Sequence, residues 1–437
     1  MEKRIGIRLE DKNERERRAP LTPEDVGILV REYGIPFAVE SSEKRVFPDE
    51  TYRDAGADIV QDISHCPIVL GVKEMPEEVF RPETTYVFFS HTIKGQPYNM
   101  AMLRKLKELK CSLIDYEKIE DENGRRLVFF GRYAGLAGMI DGLWMLGKRL
   151  EADGYETPLR SVRQAMKHKD LHSAKEAVAR AGRKIDREGL PDTLVPFVVG
   201  FAGYGHVSQG AQEIFDEIPH RVVAPEDLAM EFERGTGDGP LFWKVVFHEE
   251  HMVEPEREGK RFVLQEYYDH PERYSGAFRQ YLPYLSMLVN CIFWTEKYPR
   301  LVTKDDVKDL YLSGNRRFMA VSDITCDPGG SVACTTHCTD PGDPYFVYDV
   351  KKGRAVEGVS GDGPAILAVD NLPCELPEDA SAHFSGVLRD FIPALAECDF
   401  TTDYPDLYLP EPLKGAMILH RGRFAPGYGY MRKFLKP

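Results

Sequence analysis

Residues 194–210 read LVPFVVGFAGYGHVSQG, an apolar run followed at once by a glycine-rich turn and then by a helical pattern. A buried strand that leads into such a turn is a common holder of a dinucleotide pyrophosphate, because glycine lets the backbone approach the phosphates. The free N–H groups at the start of the helix add the positive end of its dipole. We therefore expect dinucleotide contacts at Gly203, Gly205, His206 and Val207.

The residues before this turn predict a second sheet. Short apolar strands alternate there with helices, a rhythm typical of parallel sheets that bind ligands at the carboxyl ends of their strands. Thr22 and Pro23 are a helix-start signal, and we expect that helix to run to Tyr33. The predicted strands are Arg4–Leu9, Phe37–Glu40, Ile68–Val72, Tyr86–Ser90 and Ser112–Asp115.

The predicted fold class is α/β, with two doubly wound Rossmann-like domains separated by a cleft. We expect a substrate domain of residues 1–136, completed by the C-terminal segment 331–437, and a dinucleotide-binding domain of residues 137–330. Within the second domain, Val195–Phe201 and Arg221–Ala224 are predicted as its first two strands. The sequence also predicts a loop over 235–260 and a helix over 281–294.

Composition excludes several classes of function. The 437 residues carry a formal net charge of −14, and binding a nucleic acid requires a basic surface. No stretch approaches the roughly 20 apolar residues of a membrane span. The opening MEKRIGIR lacks the apolar core of a secretory signal, and the eight cysteines are scattered, so we expect a cytoplasmic protein with reduced thiols. The spacing of Cys326, Cys334, His337 and Cys338 matches no standard zinc pattern, nor does HEEH at 248–251, and we expect no metal.

The region after the glycine turn bears on the choice of cofactor. Ser208 replaces the third glycine of the usual fingerprint, and Ala224 stands where an acidic residue would accept the ribose 2′-hydroxyl of NAD. Glu226 lies beyond Pro225, and Arg221 is a candidate partner for a 2′-phosphate. These residues favour NADP(H) over NAD(H), although both stay open.

Two ionisable residues follow separate strands of the first predicted sheet. Lys73 comes after the strand Ile68–Val72, and His91 comes after Tyr86–Ser90. Because parallel strands end at one edge, both side chains are expected to face one crevice. Burial there would bring a lysine pKa toward the range in which histidine titrates, so the two predict an acid–base pair. Taken singly, a surface ammonium and a strand-end cap are equally open interpretations.

Polar residues near the same edge are candidates to bind a substrate carboxylate. Arg17 and Arg18 lie just before the first helix, and a guanidinium holds a carboxylate through two parallel hydrogen bonds. Lys94 and Gln96 add polar groups farther along the chain, and Arg132 lies near the predicted hinge. The alternative for Arg17 and Arg18 is that both are solvated members of a charged run.

Nine motifs follow one another over nearly the whole chain: ERRAPLTP at 16–23, GVK at 71–73, FFSHTIK at 88–94, DYEK at 115–118, FGRYAGLAG at 130–138, VSQGAQ at 207–212, SDI at 322–324, DPGGS at 327–331 and DNLP at 370–373. In this order they resemble the lysine–2-oxoglutarate reductase half of the bifunctional aminoadipic semialdehyde synthase. Lysine-forming saccharopine dehydrogenases share the resemblance more loosely, and alanine dehydrogenase shares it at the first two motifs.

The resemblance implies that the ε-amine of lysine condenses with 2-oxoglutarate and that a reduced nicotinamide delivers hydride to the imine, which gives saccharopine. The family's acid–base residues fall on Lys73 and His91, and its carboxylate-binding arginine falls on Arg18. The resemblance also implies substrate contacts at Gln96, Arg132 and Leu136, and cofactor contacts at Gly131, Asp323 and Asp327. The saccharopine-cleaving half has no counterpart in these residues, so we expect a single step.

Two other functions remain open from the sequence. One is an opine or alanine-type dehydrogenase with a different amine donor, and the other is a catalytically silent NAD(P)-binding regulator. In either enzymatic case the expected partners are small molecules, an amino acid and a 2-oxo acid, with no nucleic acid and no membrane. Assembly into a homo-oligomer stays open.

Overall fold

The structure is a computed structural model that describes residues 4–435. It divides into two compact units, Met1–Phe130 with Pro377–Pro437 and Gly131–Leu376, each built on an eight-stranded sheet flanked by helices. The α/β class predicted from the sequence is confirmed. In the part of the chain that is described, no helix is both long and apolar enough to cross a bilayer.

The strands of the first unit are β1 (Ile5–Ile7), β2 (Phe37–Glu40), β3 (Asp58–Val60), β4 (Ile68–Leu70), β5 (Thr85–Phe88), β6 (Ser112–Asp115), β17 (Met417–His420) and β18 (Arg423–Phe424). Its helices are α1 (Pro23–Tyr33), α2 (Asp49–Asp54), α3 (Met100–Glu108), α11 (Pro377–Leu388), α12 (Ile392–Glu397) and α13 (Glu411–Gly415). The order β6-β5-β4-β1-β2-β3 is parallel throughout, and β17 and β18 extend it as an antiparallel edge.

Helix α1 shows how local sequence fixes these elements. The Thr22 hydroxyl accepts a hydrogen bond from the Asp25 N–H at 3.2 Å, and Pro23 occupies the first turn, where no N–H is needed. Gly34 ends the helix in the left-handed conformation, with φ at 63°. The helix therefore has the bounds that the sequence predicts.

The strands of the second unit are β7 (Phe197–Ala202), β8 (His220–Val222), β9 (Phe242–Phe247), β10 (Val253–Pro255), β11 (Tyr274–Gly276), β12 (Met287–Asn290), β13 (Ala320–Asp323), β14 (Tyr345–Asp349), β15 (Arg354–Glu357) and β16 (Ala365–Leu367). Its helices are α4 (Gly131–Ala152), α5 (Leu171–Glu188), α6 (His206–Phe215), α7 (Leu228–Arg234), α8 (Glu249–Met252), α9 (Leu264–Asp269) and α10 (Lys304–Leu312). The strands β8-β9-β7-β12-β13-β16 are parallel, and β14 and β15 continue the sheet in antiparallel fashion.

The boundaries between the units differ from the predicted ones. Residues 331–376, expected in the first domain, lie in the second unit, because β14, β15 and β16 extend the sheet of that unit beyond β13. Residues 131–136 also lie in the second unit, since α4 is one continuous helix that begins at Gly131.

Strand β9 lies between β7 and β8 in the sheet. The predicted strand Arg221–Ala224 corresponds to β8, which begins one residue earlier, ends two residues earlier and lies at the edge of the sheet, where Val222 is exposed. Strand β9 falls inside 235–260, predicted as a loop, and its Lys244 ammonium lies 2.6 Å from the Asp216 carboxylate. Strand β12 falls inside 281–294, predicted as a helix.

Candidate active site

The carboxyl edge of the first sheet carries a buried acid beneath Lys73. Strand β4 lies between β1 and β5, so residues that follow these three strands share one edge. The Glu10 carboxylate accepts hydrogen bonds from the Val72 N–H at 2.6 Å and the Lys73 N–H at 3.0 Å. Burial, together with the charge of Glu16, raises the pKa of Glu10 to about 7. Glu10 thus fixes the backbone that presents Lys73.

His91 is held beside that segment by Glu74. The Nδ1 atom of His91 lies 2.7 Å from Oε1 of Glu74, the residue that directly follows Lys73. The buried Asn99 amide donates to the carbonyl oxygens of Ser90 at 3.0 Å and His91 at 3.3 Å. His91 has a φ of 46°, a left-handed conformation that costs free energy in a residue other than glycine and persists only where the surroundings enforce it.

The electrostatics of this pair favour an ionised Glu74. Burial by itself would raise the pKa of the Glu74 carboxyl, but the hydrogen bond and charge of His91 outweigh it, and the pKa falls to about 2. Because an ionised carboxylate can only accept, the His91 nitrogen that faces it carries the proton. The other ring nitrogen, Nε2, is then the atom able to exchange protons with a substrate.

Of the two predicted arginines, Arg18 is part of the structure's interior and Arg17 is on its surface. The buried Arg18 donates from Nε and Nη2 to the two oxygens of Glu16, at 2.8 and 2.6 Å, and its guanidinium lies 4.3 Å from the centre of the Phe130 ring. Arg17 is exposed and donates to the Lys44 carbonyl at 3.1 Å. The interpretation as solvated side chains thus suits Arg17 and not Arg18.

Lys94 and Gln96 lie in the turn that follows His91. The Lys94 N–H donates to the Gln96 side chain at 3.2 Å, and Gly95 between them has a φ of 72°. The Lys94 side chain is exposed, and Gln96 is half-buried. Both residues therefore share a loop with His91, as the sequence predicts.

The strand ends also carry residues that sequence reasoning did not single out. Glu10 and Asn99 are the clearest, and their only sequence signal is a position next to the carboxyl edge of the sheet. Asp115 accepts from the Ser90 N–H at 3.1 Å, and burial raises its pKa to about 6. The buried hydroxyl of the neighbouring Tyr116 has no hydrogen-bond partner among the described residues.

In the second unit, the turn after β7 has the features of a phosphate-binding loop. Gly203 has a φ of 92°, and its N–H donates to the Phe247 carbonyl of β9 at 2.9 Å. A Cβ added at Gly205 would meet no atom within 4 Å, so the backbone here is open to an approaching ligand. His206 and Val207 begin α6, a ten-residue helix whose first N–H groups face this space. These residues fit the pyrophosphate of a nicotinamide dinucleotide.

The residues predicted to select the cofactor lie away from β7. Arg221 is on the edge strand β8, where its guanidinium lies 2.5 Å from the Glu231 carboxylate. Glu226 is largely exposed, 3.9 Å from His251. The residue that follows the neighbouring strand β9 is His248, whose ring stacks on Tyr204 of the glycine turn with centroids 4.3 Å apart.

The start of α4 packs against α6. A Cβ at Gly135 would lie 1.9 Å from the Val207 carbonyl oxygen, so this approach requires glycine. Arg132 forms a two-point ion pair with Glu213 of α6, at 2.9 and 2.6 Å, and Leu136 is fully buried. The predicted contacts at Gly131, Arg132 and Leu136 thus belong to the unit that carries the glycine turn.

Asp323, the last residue of β13, and Asp327, on the loop that follows, lie in different surroundings. The buried Asp323 carboxylate accepts from the Asn290 amide at 2.7 Å and from the Thr335 hydroxyl at 2.5 Å, and burial raises its pKa to about 6. Asp327 is exposed on the following loop. Across residues 4–435, no group of three or more His, Cys, Asp or Glu side chains is arranged to hold a metal ion.

Comparison with known proteins adds the family context. Residues 6–137 match the family described as "Alanine dehydrogenase/PNT, N-terminal domain". The chain is 37% identical to alpha-aminoadipic semialdehyde synthase of Arabidopsis thaliana over 447 residues, a match that covers 99% of this chain and 41% of that protein. It is 34% identical to the mitochondrial alpha-aminoadipic semialdehyde synthase of Bos taurus, across 98% of this chain and 47% of that one. The chain therefore spans less than half the length of these two relatives.

A more distant relative matches at nearly its full length. The saccharopine dehydrogenase [NAD(+), L-lysine-forming] of Neurospora crassa is 27% identical, and the match covers 87% of each chain. Among solved structures, an L-alanine dehydrogenase aligns with a TM-score of 0.62 at 16% identity, over 99% of this chain and all of that one. That likeness shows the same fold.

Proposed function

Because this chain is homologous to the alpha-aminoadipic semialdehyde synthases and saccharopine dehydrogenases, with residues 6–137 matching the alanine dehydrogenase/PNT N-terminal domain, we propose that it is a nicotinamide-dependent amino-acid dehydrogenase. The reaction proposed is the reductive condensation of L-lysine with 2-oxoglutarate to saccharopine, or its reverse. The observation that carries the proposal is the 2.7 Å contact between His91 and the carboxylate next to Lys73.

The acid–base chemistry of the condensation suits this pair. The ε-ammonium of lysine must lose a proton before it attacks the keto carbon, and His91 accepts that proton at Nε2. The Lys73 ammonium donates a proton to the developing hydroxyl, which then leaves as water. A positioned acid or base of this kind typically contributes about 10²–10⁴-fold to the rate. When bound, the reduced nicotinamide supplies the hydride that converts the imine to the secondary amine.

The substrate carboxylates require cationic partners. We assign the principal one to Arg18, since its buried guanidinium is preorganised by Glu16 and packed on Phe130. Lys94 and Gln96, in the loop that carries His91, and Arg17 supply further polar contacts. The resemblance also implies substrate contacts at Arg132 and Leu136, but Arg132 is paired with Glu213 and Leu136 is fully buried, so we assign both to the packing of α4 on α6.

We propose that the second unit binds the dinucleotide through Gly203, Gly205 and the start of α6, at His206 and Val207. The further cofactor positions proposed are Gly131, Asp323 and Asp327, of which Asp323 is the last residue of β13 and Asp327 lies on the loop after it. The sequence favoured NADPH on the ground that Ala224 replaces an acid. Ala224 does not follow the strand beside β7, so we assign cofactor choice to the residues after β9, namely His248 and Glu249.

A substrate panel tests this function. Oxidation of NADH and of NADPH is followed with 2-oxoglutarate together with lysine, ornithine or ammonia, and with pyruvate and ammonia as a further pair. Turnover that requires both lysine and 2-oxoglutarate supports the proposal. Turnover with ammonia, or with an amine other than lysine, would instead identify an alanine-type or opine dehydrogenase. Dinucleotide binding in a thermal-shift assay without turnover on any pair identifies a silent regulator.

We propose a cytoplasmic location for this chain, whereas the Bos taurus relative is named as mitochondrial. Imaging of the tagged protein in its own cells tests it, and a mitochondrial signal would contradict it. Light scattering of the purified chain gives its state of assembly.

A further inference from the structure

Two cysteines of the second unit bring their sulfur atoms close together. The Sγ atoms of Cys326 and Cys338 are 3.8 Å apart, and the Cys326 thiol also lies 3.2 Å from the Ala368 carbonyl oxygen. Both side chains are partly exposed, and both are free thiols. A disulfide has an S–S distance of about 2.05 Å, so a side-chain movement of about 2 Å would join them.

Cys338 differs in reactivity from the thiols around it, since even its partner Cys326 has a pKa that is raised by the hydrogen bond to Cys338 and by burial. Burial raises the pKa of the Cys66 and Cys111 thiols to about 11 and that of Cys334 to about 12. The hydrogen bond from Cys326, by contrast, lowers the pKa of Cys338. Because the thiolate is the nucleophile in thiol oxidation, Cys338 is the sulfur that reacts first, and its neighbour is poised to resolve the product.

We propose that Cys326 and Cys338 form an oxidation site that closes to a disulfide on reaction with a peroxide. The Cys338 thiolate attacks one oxygen of hydrogen peroxide, the O–O bond breaks, and Cys338 becomes a sulfenic acid with release of hydroxide, which takes up a proton to give water. The Cys326 sulfur then attacks the sulfenic sulfur, the S–S bond forms, and a second water leaves. Two thiols and one peroxide thus give one disulfide and two waters.

The disulfide would close the loop between the two cysteines. This loop is held inside the unit by the Thr335 hydroxyl, which donates to Asp323 at 2.5 Å, and by Ser331, which accepts from Asn290 at 2.8 Å. Oxidation at its two ends would tie down a segment that follows the central strand β13. The inference stands on the two thiols alone and does not require the proposed enzymatic function.

Peptide mapping tests the proposal on the whole 437-residue chain. The folded chain is treated with hydrogen peroxide, blocked with N-ethylmaleimide under denaturing conditions and digested without reductant by a protease that cuts before aspartate. Cuts before Asp323, Asp327 and Asp340 release Cys326 on one peptide, and Cys334 with Cys338 on the next. We expect these two peptides to be joined, with a mass two hydrogens below their sum, and the count of thiols to fall from eight to six.

Three variants sharpen the result. Cys326→Ser and Cys338→Ser should each abolish the linkage, and the sulfenic acid of Cys338 should then be trapped by dimedone in Cys326→Ser. Cys398→Ser, which alters a partly exposed thiol of the first unit, should leave the linkage intact. Thermal melts in reductant check that each variant folds. Peptides that stay separate in the folded wild type, or a linkage that survives Cys338→Ser and uses Cys334, would overturn the proposal.

Discussion

Glu74 is the residue on which the chemistry of the first unit depends most. The hydrogen bond and charge of His91 lower the pKa of its carboxyl to about 2, so Glu74 is ionised at neutral pH and accepts a hydrogen bond from Nδ1 of His91. The positions of Lys73 and His91 at strand ends were predictable from the alternation of strands and helices. The contact between Glu74 and His91 was not, because it depends on the left-handed φ of His91, which leaves no mark in the sequence.

We expect Glu74→Gln to lower kcat by about tenfold or more. The neutral amide no longer offers a carboxylate acceptor to Nδ1 of His91, so the ring loses the partner that fixes its tautomer and orientation. Dinucleotide affinity should be unchanged, because Glu74 belongs to the other unit from the glycine turn. Steady-state kinetics across pH, with cofactor binding measured in parallel, checks both statements.

Glu77→Gln is the matched control for that variant, since Glu77 is exposed on the same segment and the change should leave kcat as in the wild type. A Glu74→Gln enzyme with wild-type kcat would show that the contact with His91 has no part in catalysis.

Cofactor choice gives a second residue-scale prediction. Since β9 lies beside β7, His248→Ala or Glu249→Ala should change the ratio of kcat/KM for NADPH and NADH by about tenfold, a shift of about 1.4 kcal/mol in relative binding. Arg221→Ala should leave the ratio unchanged, because Arg221 pairs with Glu231 on the edge strand. If only Arg221→Ala changes this ratio of kcat/KM values, the residue that selects the cofactor lies on β8 and not after β9.

At the scale of elements, the packing of α4 on α6 depends on glycine. A Cβ at Gly135 would lie 1.9 Å from the Val207 carbonyl oxygen, and one at Gly210 would lie 2.1 Å from that of Arg132. No real side chain tolerates such distances, and the clashing atoms belong to the backbone, so the two helices must separate. The beginning of α6, which we assign to the pyrophosphate, would move with them.

Gly135→Ala should therefore destabilise the second unit by about 3 kcal/mol, at the upper end of the cost of overpacking. Urea denaturation followed by circular dichroism measures the loss, and dinucleotide affinity should fall in parallel. Gly386→Ala in α11 is the control, because its Cβ would meet open space and alanine favours a helix by up to about 1 kcal/mol. Equal stability of Gly135→Ala and the wild type would refute the close approach.

The elements that sequence reasoning missed share a physical cause. Strands β9 and β12 each lie between two parallel neighbours and are largely buried, so they read as short apolar runs without the alternation of a half-exposed strand. Thr22 and Pro23, by contrast, act within a few residues, and the helix they begin was predicted to the residue. Signals that act within a few residues could be predicted from the sequence. The strand order β8-β9-β7 could not, because it depends on pairing between segments that are distant in the chain.

At the scale of the whole molecule, a pair of buried acids joins the two ends of the second unit. Asp141 of α4 accepts from the Ala165 N–H at 2.6 Å, and Glu375, at the far end of the unit, accepts from Gln164 and from the Met166 N–H, both at 3.3 Å. Burial and the nearby Asp141 raise the pKa of Glu375 well above its usual range. The folded unit therefore holds a proton that the unfolded chain releases.

This pair predicts that the stability of the second unit declines as the pH rises. Because the pKa of Glu375 is higher in the folded unit than in the unfolded chain, its contribution to the free energy of unfolding is complete below about pH 4.5. Above that pH the unfolded chain releases the proton while the folded unit keeps it, so this contribution falls progressively. Glu375→Gln should remove much of this slope between pH 6 and 9. Denaturant titrations of the wild type and Glu375→Gln at several pH values measure this slope. Identical slopes for the two proteins would contradict the proton that the folded unit is inferred to hold at Glu375.

The central claim is that Lys73 and His91 perform acid–base chemistry on an amine and a 2-oxo acid. Its most direct test is the rate of NAD(P)H oxidation with saturating lysine and 2-oxoglutarate for the wild type, Lys73→Met and His91→Gln. The account predicts that each variant lowers kcat by about tenfold or more while dinucleotide affinity survives. Unchanged turnover in both variants would contradict it.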